Sequence, residues 1–162
     1  MNNSRLYTLL AFLLARRVLV QGWSMHPTLA PDERVLFDRL AYRFGEPQKG
    51  DVVLVAHPRT PKLRVIKRIA ALPGDSVRLA AQGCWVNGRL YAEASPQQET
   101  AIAERTWELG PEEYFLLGDD PGHSTDSRHF GLVHRKALLG RAWLVYWPVK
   151  RMRWVHGEEE SQ

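Results

Sequence analysis

The chain has 162 residues, of which 44% are hydrophobic and 25% charged, so it can bury a core of its own in a single domain. Its single cysteine, Cys84, excludes an intrachain disulfide and a zinc site built from several cysteines. The net charge of +4 favours an anionic neighbour, either nucleic acid or lipid headgroups, without distinguishing the two.

The N-terminal segment is the first predicted element. Residues 6–15, LYTLLAFLLA, are apolar and uncharged, with arginines on both sides. A membrane-spanning helix needs about 20 apolar residues, which this segment reaches only if residues 18–20 extend it past Arg16 and Arg17. We expect residues 1–20 to form a membrane anchor with a short apolar helix, spanning or interfacial. A buried N-terminal helix is the alternative.

The rest of the chain is predicted to be mainly β. Short apolar, β-branched runs separated by turn residues are typical of antiparallel strands. Asn87-Gly88 lies between two apolar runs and predicts a hairpin. The predicted strand segments are ERVLFDR, DVVLVAH, LRVIKRIAAL, CWVNGRLY, EYFLLGD and RAWLVYWP.

These segments suggest one β domain over residues 21–150. Within it we expect a peripheral hairpin and loop subdomain at about residues 76–112, because residues 93–111 are polar and fit a long loop or a short helix. Residues 151–162 are expected to be a polar tail. The basic stretch KRMRW, residues 150–154, fits either contact with anionic lipid or a solvated strand end.

Ser24 is the first candidate for chemistry. It lies in QGWSMHPTL, just after the apolar segment, and two residues later comes His26 where a G-x-S-x-G nucleophile elbow would have glycine. Ser24 is therefore either an ordinary turn serine or a nucleophile that uses another base.

Lys67 is a candidate for that base. If its segment is a strand, Val65, Lys67 and Ile69 share one face, so the lysine could be desolvated by apolar neighbours. A lysine base needs a pKa near 7 against an ordinary value of about 10.4, a difference of about 4.6 kcal/mol. Only a rigid site without water lowers the pKa of a lysine by that amount. Most lysines in such positions instead extend their amine to solvent.

A polar loop, residues 116–131, follows one predicted strand, and loops of this kind carry sites. A metal site would use His123, Asp126 and His129, although their spacing is loose. A Ser-His-Asp hydrolase would instead bring Ser24 together with His123 and Asp126.

The same loop also fits a structural role. Asp126 and Arg128 could form an ion pair while Ser124 orients a neighbouring group. A solvated turn without a function is the remaining alternative.

Four segments together resemble the type I signal peptidase family, which includes mitochondrial inner-membrane relatives. SMHPTL, GDVVLV, RVIKRIAALPGD and GDDPGHSTDSRHFG occur in the family's order, and the resemblance covers about residues 20–148. Members are membrane-bound serine endopeptidases with a Ser-Lys dyad. The resemblance implies an antiparallel signal-peptidase/LexA-like β fold with an N-terminal anchor helix.

The resemblance also implies a function. Such an enzyme removes N-terminal signal peptides from exported preproteins after small residues, as in Ala-x-Ala. It works on the extracytoplasmic face of the cytoplasmic membrane, with preproteins and membrane lipid as partners. It needs no metal, nucleotide or other cofactor.

Site residues follow from the resemblance position by position. Ser24 matches the nucleophile and Lys67 the general base. Ser124 matches a serine that hydrogen-bonds and orients the lysine. Asp126 and Arg128 match a charged pair that supports the site from behind.

The matching also extends to substrate contacts. Met25, Leu29 and Ile66 fall where the family lines shallow pockets for small side chains. The Ser24 backbone N–H would be one oxyanion donor, and Gly22 stands where some members carry a serine as the second donor. One donor is worth about 3 kcal/mol.

Two features depart from the family pattern. The usual GDN-R start of the last segment is Gly118-Asp119-Asp120-Pro121 here. Arg16 and Arg17 lie close before Ser24, where they would fall on the outer side of the membrane, against the positive-inside tendency.

Other functions are compatible with the same residues. A maturation protease for one dedicated precursor would use the same dyad. A LexA-like self-cleaving regulator needs a DNA-binding domain, for which the 23 residues before Ser24 leave little room, so we expect no nucleic-acid partner. A non-enzymatic β module would leave Lys67 solvated.

Overall fold

The computed structural model describes residues 3–94 and 104–155. Its three α-helices are α1 (Asn3–Leu14), α2 (Ala41–Phe44) and α3 (Ser127–Phe130). Its strands are β1 (Arg16–Leu19), β2 (Arg34–Asp38), β3 (Val52–Ala56), β4 (Arg64–Ala71), β5 (Ser76–Ala80), β6 (Gly83–Val86), β7 (Arg89–Glu93), β8 (Arg105–Glu108), β9 (Glu113–Leu117), β10 (Val133–His134), β11 (Leu138–Trp147) and β12 (Arg153–Trp154).

The strands form two sheets. The larger sheet has eight strands in the order β1-β2-β11-β3-β4-β9-β10, with β12 paired to β11. The smaller sheet has four strands in the order β7-β6-β5-β8. Every described pairing is antiparallel, so the predicted mainly antiparallel β fold is confirmed.

The N-terminal segment differs from the predicted anchor. The helix ends at Leu14, and Arg16–Leu19 form β1, which pairs with β2. The short apolar helix is present, but it does not extend through residues 18–20, because Val18 packs against the core and the two arginines join the sheet edge instead of continuing the helix. Among the described helices, none is both long and apolar enough to cross a bilayer.

Helix α1 packs on the domain along one side. Ala11 is buried, the Tyr7 hydroxyl donates to Asp38 Oδ2 at 2.6 Å, and the Phe12 ring meets Trp143 edge-on. On its other side Leu9 and Leu13 are largely exposed. The helix is thus partly docked and keeps an exposed apolar surface.

The small sheet corresponds to the predicted peripheral subdomain. Asn87 and Gly88 both have positive φ, 50° and 78°, as a tight hairpin turn between β6 and β7 requires. Part of the segment predicted as a loop or short helix is instead strand β8, which pairs with β5. Residues 95–103 of that segment lie outside the described residues.

The C-terminal end of the described chain also joins the large sheet. Arg153–Trp154 form β12, paired with Leu144 and Val145 of β11. The sheet therefore extends beyond residue 150, into the segment we expected to be a polar tail.

One apolar cluster lies beneath the segment that carries Ser24. Met25 and Leu29 are buried there against Val35, Phe37 and Val145. Burying such a side chain contributes about 1.5–3 kcal/mol, so these two residues anchor the turn to the large sheet.

Candidate active site

Lys67 lies in the middle of β4, opposite Val53 of β3. Its exposed fraction is only 3%. Burial lowers the pKa of the Lys67 ammonium, and the positive charge of Arg128 lowers it further, whereas Asp126 and Asp119 act in the opposite direction with a smaller net effect. The amine is therefore biased toward its neutral form.

Ser24 faces this lysine from a turn between β1 and β2. The distance between Lys67 Nζ and Ser24 Oγ is 2.8 Å, which is hydrogen-bond contact across 43 positions of sequence. The backbone N–H of Ser24 makes no hydrogen bond to any other residue that the structure describes. A serine hydroxyl, a buried lysine amine and a free N–H donor thus lie together at one point, an arrangement that can support nucleophilic catalysis.

Arg68, the residue after Lys67, ties three segments together. It is buried and makes a two-point contact with Asp119, with Nε to Oδ1 at 2.8 Å and Nη2 to Oδ2 at 2.7 Å. Its Nη2 also donates to Thr28 Oγ1 at 2.9 Å, and its Nη1 donates to the Gly50 carbonyl at 2.8 Å. One guanidinium therefore links β4, the Ser24 turn and the loop after β9.

A second arginine holds the same turn from β12. Arg153 donates from Nη2 to the Thr28 carbonyl at 2.5 Å and makes a two-point ion pair with Glu33, which is 1% exposed. Burial raises the pKa of Glu33, but hydrogen bonds from Arg153 and the Ala30 N–H more than offset this and keep it low. Thr28 is thus held through its hydroxyl by Arg68 and through its carbonyl by Arg153.

Asp126 and Arg128 form a buried pair behind Lys67. Arg128 donates to the Asp126 carboxylate from Nε at 2.8 Å and from Nη2 at 2.6 Å, and the Gly118 N–H donates to Oδ2 at 3.0 Å. Burial raises the pKa of Asp126, and these hydrogen bonds lower it to a net value below the ordinary one. Asp126 therefore stays ionised, with its charge engaged by Arg128.

Ser124 lies in the same buried corner but does not hydrogen-bond the lysine as the resemblance implied. Its buried Oγ forms no hydrogen bond of good geometry to a residue in the described ranges, although the hydroxyl lies near enough to Asp126 to help lower its pKa. The predicted hydrogen bond from Ser124 to Lys67 is absent between these two described side chains. The Ser124 side chain packs directly against the Gly118 backbone, and only glycine fits at position 118 because a Cβ there would overlap Ser124 Oγ.

A cleft of about 470 Å³ runs up to Ser24 and Lys67. Its walls are β1 and the following residues on one side and residues 63–67 on the other. Met25 and Ile66 line it, as expected for pocket residues, whereas Leu29 is fully buried in the core and does not. Gly22 also lines the cleft, with φ of +83°.

Both walls end in strand edges. Among the described strands, β1 pairs with β2 alone. Residues 64–67 of β4 pair with β3 on one side, and the pairing of β4 with β9 on the other side begins at Arg68. Unpaired edges of this kind accept an extended peptide by main-chain hydrogen bonding.

Comparison with known proteins shows the family of this chain. The family model described as signal peptidase, peptidase S26, matches residues 4–147. The chain belongs to that family. The resemblance seen in the sequence is confirmed, and the chain is a serine endopeptidase of the signal peptidase I type, whose reaction is the removal of signal peptides.

Individual relatives show the extent of the match. The chain is 34% identical to a probable signal peptidase I-2 of Synechocystis sp. over 149 residues, covering 86% of this chain but only 66% of that one. It is 31% identical to signal peptidase I T of Bacillus subtilis over 156 residues, covering 90% and 80%. A crystal structure of a signal peptidase I from Enterococcus faecalis has 27% identity and a TM-score of 0.48, covering 59% of this chain and 96% of that one.

The competing arrangements of the polar loop are not formed. His123 is exposed and contacts Asp120 at 2.9 Å, whereas Asp126 is buried against Arg128, so no Ser-His-Asp set assembles around Ser24. Within residues 3–94 and 104–155, no group of three His, Cys, Asp or Glu side chains is placed to hold a metal ion.

Sequence reasoning missed Arg68, Thr28, Glu33 and Arg153. A signal existed for Arg68, because a second charge inside an apolar strand needs a buried partner. No comparable signal existed for Arg153, since its partner Glu33 lies 120 positions away.

Proposed function

We propose that this signal peptidase uses Ser24 as nucleophile and Lys67 as general base. It would cleave exported preproteins after small residues of the Ala-x-Ala type, associated with the extracytoplasmic face of the cytoplasmic membrane. The single observation that carries the proposal is the 2.8 Å contact between Ser24 Oγ and a buried Lys67 Nζ.

The chemistry follows from a neutral lysine. Lys67 Nζ accepts the hydroxyl proton as Ser24 Oγ bonds to the scissile carbonyl carbon, whose oxygen becomes an oxyanion. The ammonium then gives its proton to the leaving nitrogen as the C–N bond breaks. Water then attacks the acyl carbon while Lys67 Nζ takes its proton, and the resulting ammonium returns that proton to Ser24 Oγ as the ester C–O bond breaks. The acid product leaves, and the Ser24 hydroxyl and the neutral amine are restored.

The oxyanion is the second requirement. The free Ser24 N–H supports one donor, worth about 3 kcal/mol when preorganised. A serine at position 22 would supply another hydroxyl in some relatives, but here the residue is glycine with positive φ, a backbone shape that other side chains adopt with strain. The second donor is thus not a residue 22 side chain.

Small-residue specificity is supported by the cleft. A preprotein segment paired with the β1 and β4 edges would place alternate side chains toward the walls. Met25 and Ile66 line the cleft next to Ser24 and make this part of its wall apolar. An apolar wall beside the cleaved bond favours small uncharged side chains such as alanine over charged ones.

Membrane association is supported by helix α1. Its exposed leucines form an apolar surface beside the docked Phe12 and Trp143 pair. A partly docked apolar helix of this kind can lie in the lipid interface. Replacing Leu9 and Leu13 by Ser should reduce binding to phospholipid vesicles in a flotation assay, whereas replacing exposed Leu90 of the small sheet should not.

Cleavage of a preprotein in detergent tests the dyad. Ser24→Ala and Lys67→Ala should each abolish turnover while circular dichroism and melting temperature show a folded protein. Ser76→Ala and Lys136→Ala serve as matched controls away from the cleft and should retain activity. Turnover in either dyad variant at the wild-type rate would refute the assignment.

A further inference from the structure

The cleft beside Ser24 is strongly one-sided in charge. Its lining includes Arg16, Arg17, Arg64 and Lys67, and no Asp or Glu is among the lining residues that the structure describes. Lys67 is engaged by Ser24 Oγ, so the positive charges of the cleft that remain for a ligand are those of the three arginines.

Two of these arginines are available to a ligand. Arg17 on β1 and Arg64 on β4 are both exposed and stand on opposite walls of the cleft. Neither side chain makes a hydrogen bond or ion pair with another residue in the described part of the chain. A guanidinium in that state can bind a carboxylate at two points.

A bound peptide would pass between these two walls. Main-chain pairing with the strand edges holds the peptide without regard to its charge, so the charge preference comes from the arginines. A carboxylate near Arg17 or Arg64 would be attracted, and a lysine there repelled. A carboxylate directly beside Lys67 would instead favour the charged amine and slow proton transfer, so the favoured place lies away from the dyad.

We propose that this cleft selects preproteins carrying an acidic residue in the segment bound between β1 and β4. The inference rests on the proposed function, since it assumes that substrate lies in the cleft beside Ser24. Each solvent-exposed pair changes affinity by a modest factor, so the expected preference for Asp over Lys is about twofold to tenfold in kcat/KM, expressed mainly through KM.

A charge-swap experiment tests the inference. Peptides with an Ala-x-Ala cleavage site differ only in Asp, Asn or Lys, scanned through each position on both sides of the scissile bond. Wild type should favour Asp at one position or more, and the preference should weaken with added salt. Arg17→Glu or Arg64→Glu should invert the preference to Lys, whereas Arg105→Glu, on β8 of the small sheet, should leave it unchanged.

Two results would overturn it. One is an equal kcat/KM for Asp, Asn and Lys peptides at every position. The arginines would then serve only to prevent the exposed strand edges from pairing with other chains. The other is that the Glu variants lose binding to phosphatidylglycerol vesicles with peptide preference unchanged, which would make lipid phosphate their ligand. Ser24→Ala is assayed alongside to distinguish these results from a failure of the proposed dyad. If the dyad assignment is wrong, Ser24→Ala remains active; if only the charge preference is wrong, Ser24→Ala is inactive.

Discussion

The two halves of the proposed dyad are held in different ways. Lys67 lies within a strand whose neighbours pair with β3 residue by residue, so the sheet ladder sets its position. Ser24 lies in a turn without a ladder, and its carbonyl accepts from the Asp120 N–H at 3.2 Å while Thr28 is held by two arginines. Backbone pairing within the sheet thus positions Lys67, whereas side-chain contacts from distant segments position Ser24.

This difference has a consequence for mutation. A residue within a paired strand keeps its position when neighbouring side chains are substituted, because backbone hydrogen bonds maintain the register of the strand. A turn held by a few side chains moves when any one of them is lost. We therefore expect activity to be more sensitive to substitutions that remove a contact of the Ser24 turn, including the contact from Arg68, than to other substitutions in β4.

Gly118→Ala should have the largest effect. A Cβ there would lie 2.5 Å from the Ser24 carbonyl oxygen and closer still to Ser124 Oγ, so the turn must shift. A displacement of about 1 Å at a reacting group costs about a hundredfold in rate. Single-turnover cleavage measures it. Gly110→Ala is the matched control, because the atoms nearest to its Cβ belong to the Glu113 side chain, with Oε2 at 3.0 Å, and not to the Ser24 turn. Wild-type rates in Gly118→Ala would show that the turn is not held tightly.

Arg68→Ala should come next. It leaves Asp119 and Thr28 without the guanidinium and costs about 3–5 kcal/mol, the range for breaking a buried charged pair. Urea unfolding measures the stability, and kcat measures the loosened turn. Arg68→Lys keeps the charge but loses the two-point contact, so it should recover stability only in part. Equal stability of Arg68→Ala and wild type would contradict the role given to this arginine.

Arg153→Ala should have a smaller effect, because its side chain is partly exposed. It leaves Glu33 buried without its main partner, at a cost of about 1–3 kcal/mol. Because the folded-state pKa of Glu33 is depressed, this stabilisation is present above its unfolded pKa and is lost as pH falls through the folded value. Thermal melts of Arg153→Ala and wild type should therefore differ at neutral pH and converge below about pH 4.

Lys150→Ala, which removes a neighbouring exposed charge, is the control for Arg153→Ala. It should melt like wild type at every pH. A stability difference for Arg153→Ala that persists unchanged in acid would locate its effect somewhere other than Glu33.

Lys67→Met should have the smallest effect and the opposite sign, a gain in stability. The pKa of Lys67 is lower in the folded protein than in the unfolded chain. Between these two pKa values the unfolded chain binds more protons than the folded protein, so the stability of the wild type increases as pH rises. The variant lacks this dependence and should melt a few degrees higher at neutral pH, since about 1 kcal/mol corresponds to about 2–4 °C. A lower melting temperature at neutral pH would contradict a strained, buried lysine.

The sequence predicts the parts of the molecule that have local signals better than the parts that depend on contacts between distant residues. Lys67, the β strands and the Asn87-Gly88 hairpin carry local signals, namely β-branched runs and turn residues, and sequence reasoning found them. The ends of the domain carry weak local signals. Residues 16–19 resembled a helix extension and residues 153–154 a tail, because only tertiary pairing makes them strands.

The contacts of the Ser24 turn were the least predictable. Arg153 reaches Glu33 across 120 positions, and no spacing rule connects them. The family resemblance supplied Ser24 and Lys67 together, yet it also suggested a Ser124 hydrogen bond to Lys67 and a Leu29 pocket contact that the packing does not form.

Direct titration of Lys67 tests the central claim most sharply. The protein is labelled with 13C at lysine Cε, the Lys67 resonance is assigned by its absence in Lys67→Met, and its shift is followed against pH. A midpoint well below the ordinary value of about 10.4, matched by the acid limb of kcat/KM, is the predicted result. A midpoint at the ordinary value in the folded protein would contradict Lys67 as the neutral base of Ser24.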